Sequence, residues 1–143
     1  MLKVLIVENN ISFREQFKSN LLSQFPSMEV LEAEDGQEMF KTLAFCPIDL
    51  IFMDIRLPGK NGLELTRKIK ATRQDISIII LSSYDFPEYK EVALSYGANG
   101  FIPKDSMNWG DISKAVRCHL ESERNGRKPA CVQLIIRYEK FFD

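Results

Sequence analysis

Cysteine and histidine are scarce in this sequence, and it lacks the excess of basic charge that nucleic-acid-binding proteins usually carry. The 143 residues include three widely spaced cysteines and one histidine, His119. Such a set is a poor candidate for a zinc site or for a Cys-x-x-Cys redox pair. With 19 basic and 20 acidic residues, the formal net charge is −1. We therefore expect no direct binding of nucleic acid by this chain.

Long apolar runs are also absent. No window is apolar enough over the roughly 20 residues that a membrane-spanning helix needs. The run near the start of the chain, Leu2–Val7, is too short for the apolar core of a signal peptide, and polar residues follow it at once. These absences predict a cytoplasmic protein with no membrane association. The length fits one domain with a single core.

Short apolar runs that alternate with segments of helical spacing are the main pattern present. The predicted strands are 2–7, 28–33, 50–53, 76–81 and 100–102, and the predicted helices are 11–25, 37–45, 63–72, 87–96 and 112–121. Near-continuous apolar runs indicate strands buried on both faces, as in a parallel sheet. Five strand–helix pairs predict an α/β fold. Ser12, with Glu15 three residues later, predicts a capping box for the first helix.

The polar residues that follow the predicted strands are the candidates for chemistry. They are Glu8 and Asn9 after the first, Asp54 after the third, Ser82 and Ser83 after the fourth, and Lys104 after the fifth. Ligands of open α/β sheets bind beyond the carboxyl ends of the strands, so we expect these side chains to meet there. A carboxylate can attack phosphorus, Mg²⁺ binds oxygen ligands, and an ammonium can pair with a phosphoryl group. The set therefore predicts a site for Mg²⁺ and a phosphoryl group.

Four stretches carry a resemblance to a known family: LIVENN (5–10), DLIFMDIRLPGKNG (49–62), IIILSSYD (78–85) and GANGFIPKDS (97–106). In this order and spacing the chain resembles the receiver domains of two-component response regulators. The resemblance implies a flavodoxin-like, doubly wound, five-stranded parallel sheet of order 2-1-3-4-5. We predict a receiver domain over residues 1–124, followed by a linker and an apolar tail over 125–143. The pair Lys104–Asp105 resembles the branch with a C-terminal helix-turn-helix DNA-binding domain.

The resemblance also implies a role for each residue that matches a family motif. By this comparison, Asp54 is the phosphoacceptor, Lys104 pairs with the phosphoryl group, Ser82 is the hydroxyl that turns towards it, and Phe101 is the aromatic switch. The implied Mg²⁺ ligands are Glu8, Asn9, Asp54 and the backbone carbonyl of Arg56. The implied partners are a sensor histidine kinase and a second copy that docks through the fourth helix, fifth strand and fifth helix. No enzymatic activity is expected beyond slow self-dephosphorylation.

One departure from the family keeps a second hypothesis open. Asn9 stands where the family usually has an aspartate, so we expect weaker Mg²⁺ binding than usual. The alternative is a phosphorylation-independent interaction or dimerisation module. A phosphatase with an aspartyl nucleophile is disfavoured because Arg56, rather than a second carboxylate, lies two residues after Asp54. For Phe101 the sequence leaves packing and switching as equal alternatives, while packing is favoured for Ser83 and a turn or cap role for Asn10.

Overall fold

Five strands and five helices alternate along the chain. The computed structural model describes residues 1–83 and 87–125. The strands are β1 Lys3–Val7, β2 Glu29–Ala33, β3 Leu50–Asp54, β4 Ser77–Ser82 and β5 Gly100–Pro103. The helices are α1 Ile11–Gln24, α2 Gly36–Phe45, α3 Gly62–Thr72, α4 Pro87–Ser95 and α5 Trp109–Asn125. All strand pairs are parallel and the order is β2-β1-β3-β4-β5, which confirms the predicted fold.

Both faces of the sheet are covered by helices. Every residue of β3 and β4 is buried, as their continuous apolar runs predicted. Successive strand residues point to opposite faces, so Val4 and Ile6 pack on one side and Leu5 and Val7 on the other. The first side also contains residues of α1 and α5, and the second contains residues of α2, α3 and α4. Burial on two sides holds the carboxyl ends of the central strands in fixed positions.

The first helix begins where Asn10 caps it, so the predicted capping box at Ser12 is wrong. The Oδ1 atom of Asn10 accepts a hydrogen bond from the Phe13 N–H at 3.0 Å. An asparagine in this position satisfies a backbone donor that the helix itself leaves open. Because the helix already starts at Ile11, Ser12 lies within its first turn. Asn10 thus takes the cap role that was its favoured interpretation.

The last helix is longer than its apolar spacing predicted. It begins at Trp109 rather than Ile112 and ends at Asn125. The Asn108 side-chain oxygen accepts a hydrogen bond from the Gly110 N–H at 2.7 Å, which supports the earlier start. The domain boundary at residue 124 stays a prediction, and the tail from residue 126 lies outside the described residues. Within residues 1–83 and 87–125, no helix is long and apolar enough to cross a membrane.

Candidate functional site

Two carboxylates and one ammonium group meet at the carboxyl end of the sheet. Glu8 follows β1, Asp54 is the last residue of β3, and Lys104 follows β5. The Lys104 Nζ lies 2.6 Å from Glu8 Oε1 and 3.3 Å from Asp54 Oδ1. The backbone N–H of Lys104 also donates to the Ser82 carbonyl at 2.7 Å, which fixes the Lys104 backbone beside β4. The strand ends therefore assemble three residues that are distant in sequence, as predicted.

An open cavity of about 320 Å³ lies over this cluster. Its lining in the described part of the chain consists of Glu8, Asn9, Asn10, Asp54, Arg56, Ser83 and Lys104. Asn9 and Arg56, two of the predicted metal ligands, are thus at the cavity, and both are exposed. Ser82 is fully buried at the end of β4, and the serine on the lining is its neighbour Ser83. The role predicted for Ser82 stays a prediction.

Glu8 is held in an unusual electrostatic state. Only 1% of its surface is exposed, and its Oε2 atom has no hydrogen-bond partner. Burial raises the pKa of the Glu8 carboxyl to about 7, and hydrogen bonding and repulsion from Asp54 add to this rise. The contact with Lys104 opposes the rise. A buried carboxylate oxygen without a partner is costly. A cation beside Oε2 would therefore stabilise the ionised form of Glu8.

The residues at the cavity fit a magnesium ion. Their donors are carboxylate, amide and carbonyl oxygens, and Mg²⁺ binds such oxygens while using only one or two carboxylates. Across the residues that the structure describes, no three His, Cys, Asp or Glu side chains form a group able to hold a metal. The cluster contains two carboxylates, Glu8 and Asp54, which agrees with the small number of carboxylates that Mg²⁺ uses. The unpaired Oε2 of Glu8 is the observation that agrees best with a bound cation.

Arg14 supports the Glu8 loop, a role that sequence reasoning missed. Its Nη1 donates to the Glu8 backbone carbonyl at 2.7 Å and its Nε donates to Glu32 Oε1 at 3.0 Å. The guanidinium therefore joins the loop after β1 to strand β2. Arginine suits this task because its planar fork donates in several directions at once. The sequence carries no local signal for it beyond a charge on the first turns of α1.

Gly62 allows α3 to begin against the backbone of Asp54. A Cβ atom at this position would lie 2.0 Å from the Asp54 carbonyl oxygen, so no side chain fits there without a shift of the backbone. The Gly62 N–H donates to the Ile55 carbonyl at 2.8 Å. Glycine is the residue that permits such close approach. This position was part of a matched motif, but its steric role could not be seen without coordinates.

Two aromatic residues stand at different distances from the cluster. The ring of Phe13, on the first turn of α1, lies under the Lys104 ammonium, with 4.4 Å between Nζ and the ring centroid. Phe101 is fully buried among the residues that pack on α2, α3 and α4. Packing is therefore the observed role of Phe101, and its switching role stays a prediction. The position of Phe13 beside the lysine was not predicted.

The fold and this cluster define a phosphoacceptor domain of signalling proteins. The family described as "Response regulator receiver domain" matches residues 4–117, and the chain belongs to this family. Receiver domains are phosphorylated by sensor histidine kinases and bind Mg²⁺ at the phosphorylation site. Family membership confirms the resemblance seen in the four sequence motifs.

Individual relatives agree with this assignment. A protein-glutamate methylesterase/protein-glutamine glutaminase of Pseudoalteromonas atlantica is 32% identical over 142 residues, which cover 92% of this chain and 37% of the relative. The transcriptional regulatory protein DegU of Brevibacillus brevis is 31% identical over 117 residues, 81% of this chain and 49% of that protein. The response regulator TrrA of Thermotoga maritima, solved in complex with Mg²⁺-BeF, is 31% identical with a TM-score of 0.71. The alignment covers 82% of this chain and 97% of TrrA. The chain spans half or less of the two curated relatives.

Proposed function

We propose that this receiver domain is a phosphorylation-dependent switch in which Asp54 accepts a phosphoryl group from a sensor histidine kinase. The observation that carries the proposal is the position of Asp54 at the cavity with the Lys104 ammonium 3.3 Å from its Oδ1. Asp54 is 8% exposed, so the carboxylate is held in place yet open to a donor. Of the two carboxylates in the cluster, Glu8 is the more deeply buried, with 1% of its surface exposed, and is therefore the less accessible to a donor.

The chemistry that this arrangement supports is an in-line transfer to a carboxylate. One oxygen of Asp54 attacks phosphorus, the new O–P bond forms, and the P–N bond of the donor phosphohistidine breaks with its electron pair moving to the imidazole. The Lys104 ammonium then pairs with the phosphoryl oxygens instead of the Asp54 carboxylate. Ser82, the last residue of β4, and Ser83, on the cavity lining, bring hydroxyl groups to this end of the sheet. Glu8, Asp54, Asn9 and the Arg56 carbonyl would hold Mg²⁺, which would neutralise the negative charge at the phosphoryl group.

The output proposed for the switch is control of transcription through a change of oligomeric state. Similarity to DegU and the Lys104–Asp105 pair support this output. The surface proposed for a homodimer is α4, β5 and α5. Strand β5 is an edge of the sheet, and Leu94 on α4 leaves 39% of its surface exposed. An exposed apolar side chain on α4 and an edge strand are both features that support docking of a second copy.

The acceptor is tested by incubation with a small-molecule phosphodonor and Mg²⁺, followed by intact mass. Wild type, Asp54→Ala and the matched control Asp105→Asn, which removes an exposed carboxylate beside Lys104, are compared. We expect one added phosphoryl group in wild type and in the control, and none in Asp54→Ala. A phosphoryl group on Asp54→Ala would show that Asp54 is not the acceptor. No gain in folded wild type at saturating Mg²⁺ would favour the phosphorylation-independent module instead.

A further inference from the structure

We propose that Phe13 is a positioning residue that holds the Lys104 ammonium in place for the phosphoryl group. The inference rests on the proposed function, in which Lys104 meets the group transferred to Asp54. The Nζ atom lies 4.4 Å from the Phe13 ring centroid, which is a cation–π distance. The Lys104 side chain is only 12% exposed, so this contact is partly shielded from water.

Within residues 1–83 and 87–125, three side chains contact the Lys104 ammonium, and these contacts differ in what happens when a cation enters the site. A lysine has three N–H donors, and here the neighbours are the carboxylates of Glu8 and Asp54 and the ring of Phe13. The two carboxylates are also the proposed metal ligands, so a divalent cation competes with the lysine for them. A phenylalanine ring is neutral and is no ligand for Mg²⁺. The ring is therefore the contact that a bound cation leaves intact.

The ring is itself fixed from two sides. At its backbone, the Phe13 N–H donates to the capping side chain of Asn10. Along the helix, Phe13 stacks on Phe17 four residues later, with ring centroids 5.8 Å apart and planes 18° apart. Phe17 is buried and contacts the rings of Phe52 at 5.0 Å and Trp109 at 5.2 Å. The position of the lysine is thereby tied to the start of α5 through a row of aromatic side chains.

The first test separates the ring's electrostatics from its bulk. Phe13→Leu removes the ring, Phe13→Tyr restores one, and Phe25→Leu is a matched control because Phe25 packs from the end of α1 against the same core. Phosphorylation by a small-molecule donor is followed at saturating Mg²⁺ and donor. We expect Phe13→Leu to be about fivefold slower, the size expected of one partly desolvated cation–π contact. Phe13→Tyr should recover most of the rate, and Phe25→Leu should match wild type.

Two further arms make the result specific to Lys104. In a Lys104→Met background, Phe13→Leu should cause no additional loss, because the partner of the ring is gone. The Mg²⁺ dissociation constants of wild type and Phe13→Leu, read from the fluorescence of the single tryptophan, Trp109, should agree within about twofold. An undiminished rate in Phe13→Leu, or an equal loss in Phe13→Tyr, would overturn the inference.

A measurement without phosphorylation distinguishes failure of this inference from failure of the proposed function. In the unmodified protein, the Lys104 side-chain protons next to Nζ should show an upfield ring-current shift by NMR. The shift should persist at saturating Mg²⁺ and be lost in Phe13→Leu. Loss of the shift when Mg²⁺ is added would refute the positioning role, even if Asp54 is phosphorylated. A persistent shift in a protein that takes up no phosphoryl group would refute the proposed function alone.

Discussion

Two buried titratable groups should impose opposite pH dependences on the stability of this protein. Burial raises the pKa of Glu8 from 4.5 to about 7. Burial lowers the pKa of His119, on α5, from 6.5 to about 4, with Lys70 adding to the fall and Asp49 opposing it. His119 is 5% exposed, and its Nε2 has no hydrogen-bond partner. Both groups therefore avoid their charged forms when the chain is folded.

The signs follow from which state binds more protons. The pKa of His119 is depressed in the folded state, so its stabilising contribution is complete above pH 6.5 and is lost as the pH falls towards 4. The pKa of Glu8 is raised, so its contribution is complete below pH 4.5 and is lost as the pH rises through 7. Acidification from pH 7.5 to pH 5 lowers the free energy of unfolding by about 2 kcal/mol through His119 and raises it by about 2 kcal/mol through Glu8. The two effects nearly cancel in wild type.

Single substitutions should expose each effect. We compare the free energy of unfolding in urea at pH 7.5 and pH 5 for wild type, His119→Gln and Glu8→Gln. On acidification, the stability of His119→Gln should rise by about 2 kcal/mol relative to wild type, and that of Glu8→Gln should fall by about the same amount. Packing costs of the substitutions cancel because only the difference between the two pH values is used. An unchanged pH dependence in either variant would refute the reasoning for that group.

Three other substitutions, one of them a control, test the construction of the site. Gly62→Ala should lower the free energy of unfolding by about 3 kcal/mol, since its Cβ meets the Asp54 carbonyl oxygen. Gly59→Ala should cost about 1 kcal/mol, because φ is 81° there but no atom of the described residues lies within 4 Å of the added Cβ. Equal losses in urea titrations would contradict the steric argument. Asn9→Asp adds a charge at the cavity and should tighten Mg²⁺ binding about tenfold by calorimetry. An unchanged affinity would place Asn9 outside the metal's reach.

The strands were predictable because burial on both faces requires a continuous apolar run, whereas an amphipathic helix has apolar residues on one side only. The run 76–81 became Ser77–Ser82, and the run 50–53 became Leu50–Asp54. These shifts arise because apolar composition marks burial, while strand bounds depend on hydrogen bonds. Helix starts were harder to predict. Asn10 and Ser12 are both good caps by type, and only the geometry of the chain leaving β1 selects Asn10.

Some residues of the site could be predicted from the sequence and others could not. Glu8, Asp54 and Lys104 were predictable because each lies at or directly after the end of a strand, and the carboxyl ends of parallel strands meet at one edge of the sheet. Phe13 lies on α1 one helical turn before Phe17 and packs on it, as helical spacing alone would suggest. Its other neighbour, Lys104, lies 91 positions along the chain, so helical periodicity carries no information about the contact. The different burial of Ser82 and Ser83 likewise could not be predicted from the sequence, because it depends on where β4 ends.

The strand order also determines when the site can form during synthesis of the chain. Strands β1, β2 and β3 are adjacent in space and are complete once 54 residues have been made. The Lys104 side chain lies 96 positions after Glu8 and arrives only with the edge strand β5. Contacts between distant parts of a chain form late in folding. The cluster of Glu8, Asp54 and Lys104 is therefore complete only after β5 has been made and has joined the sheet.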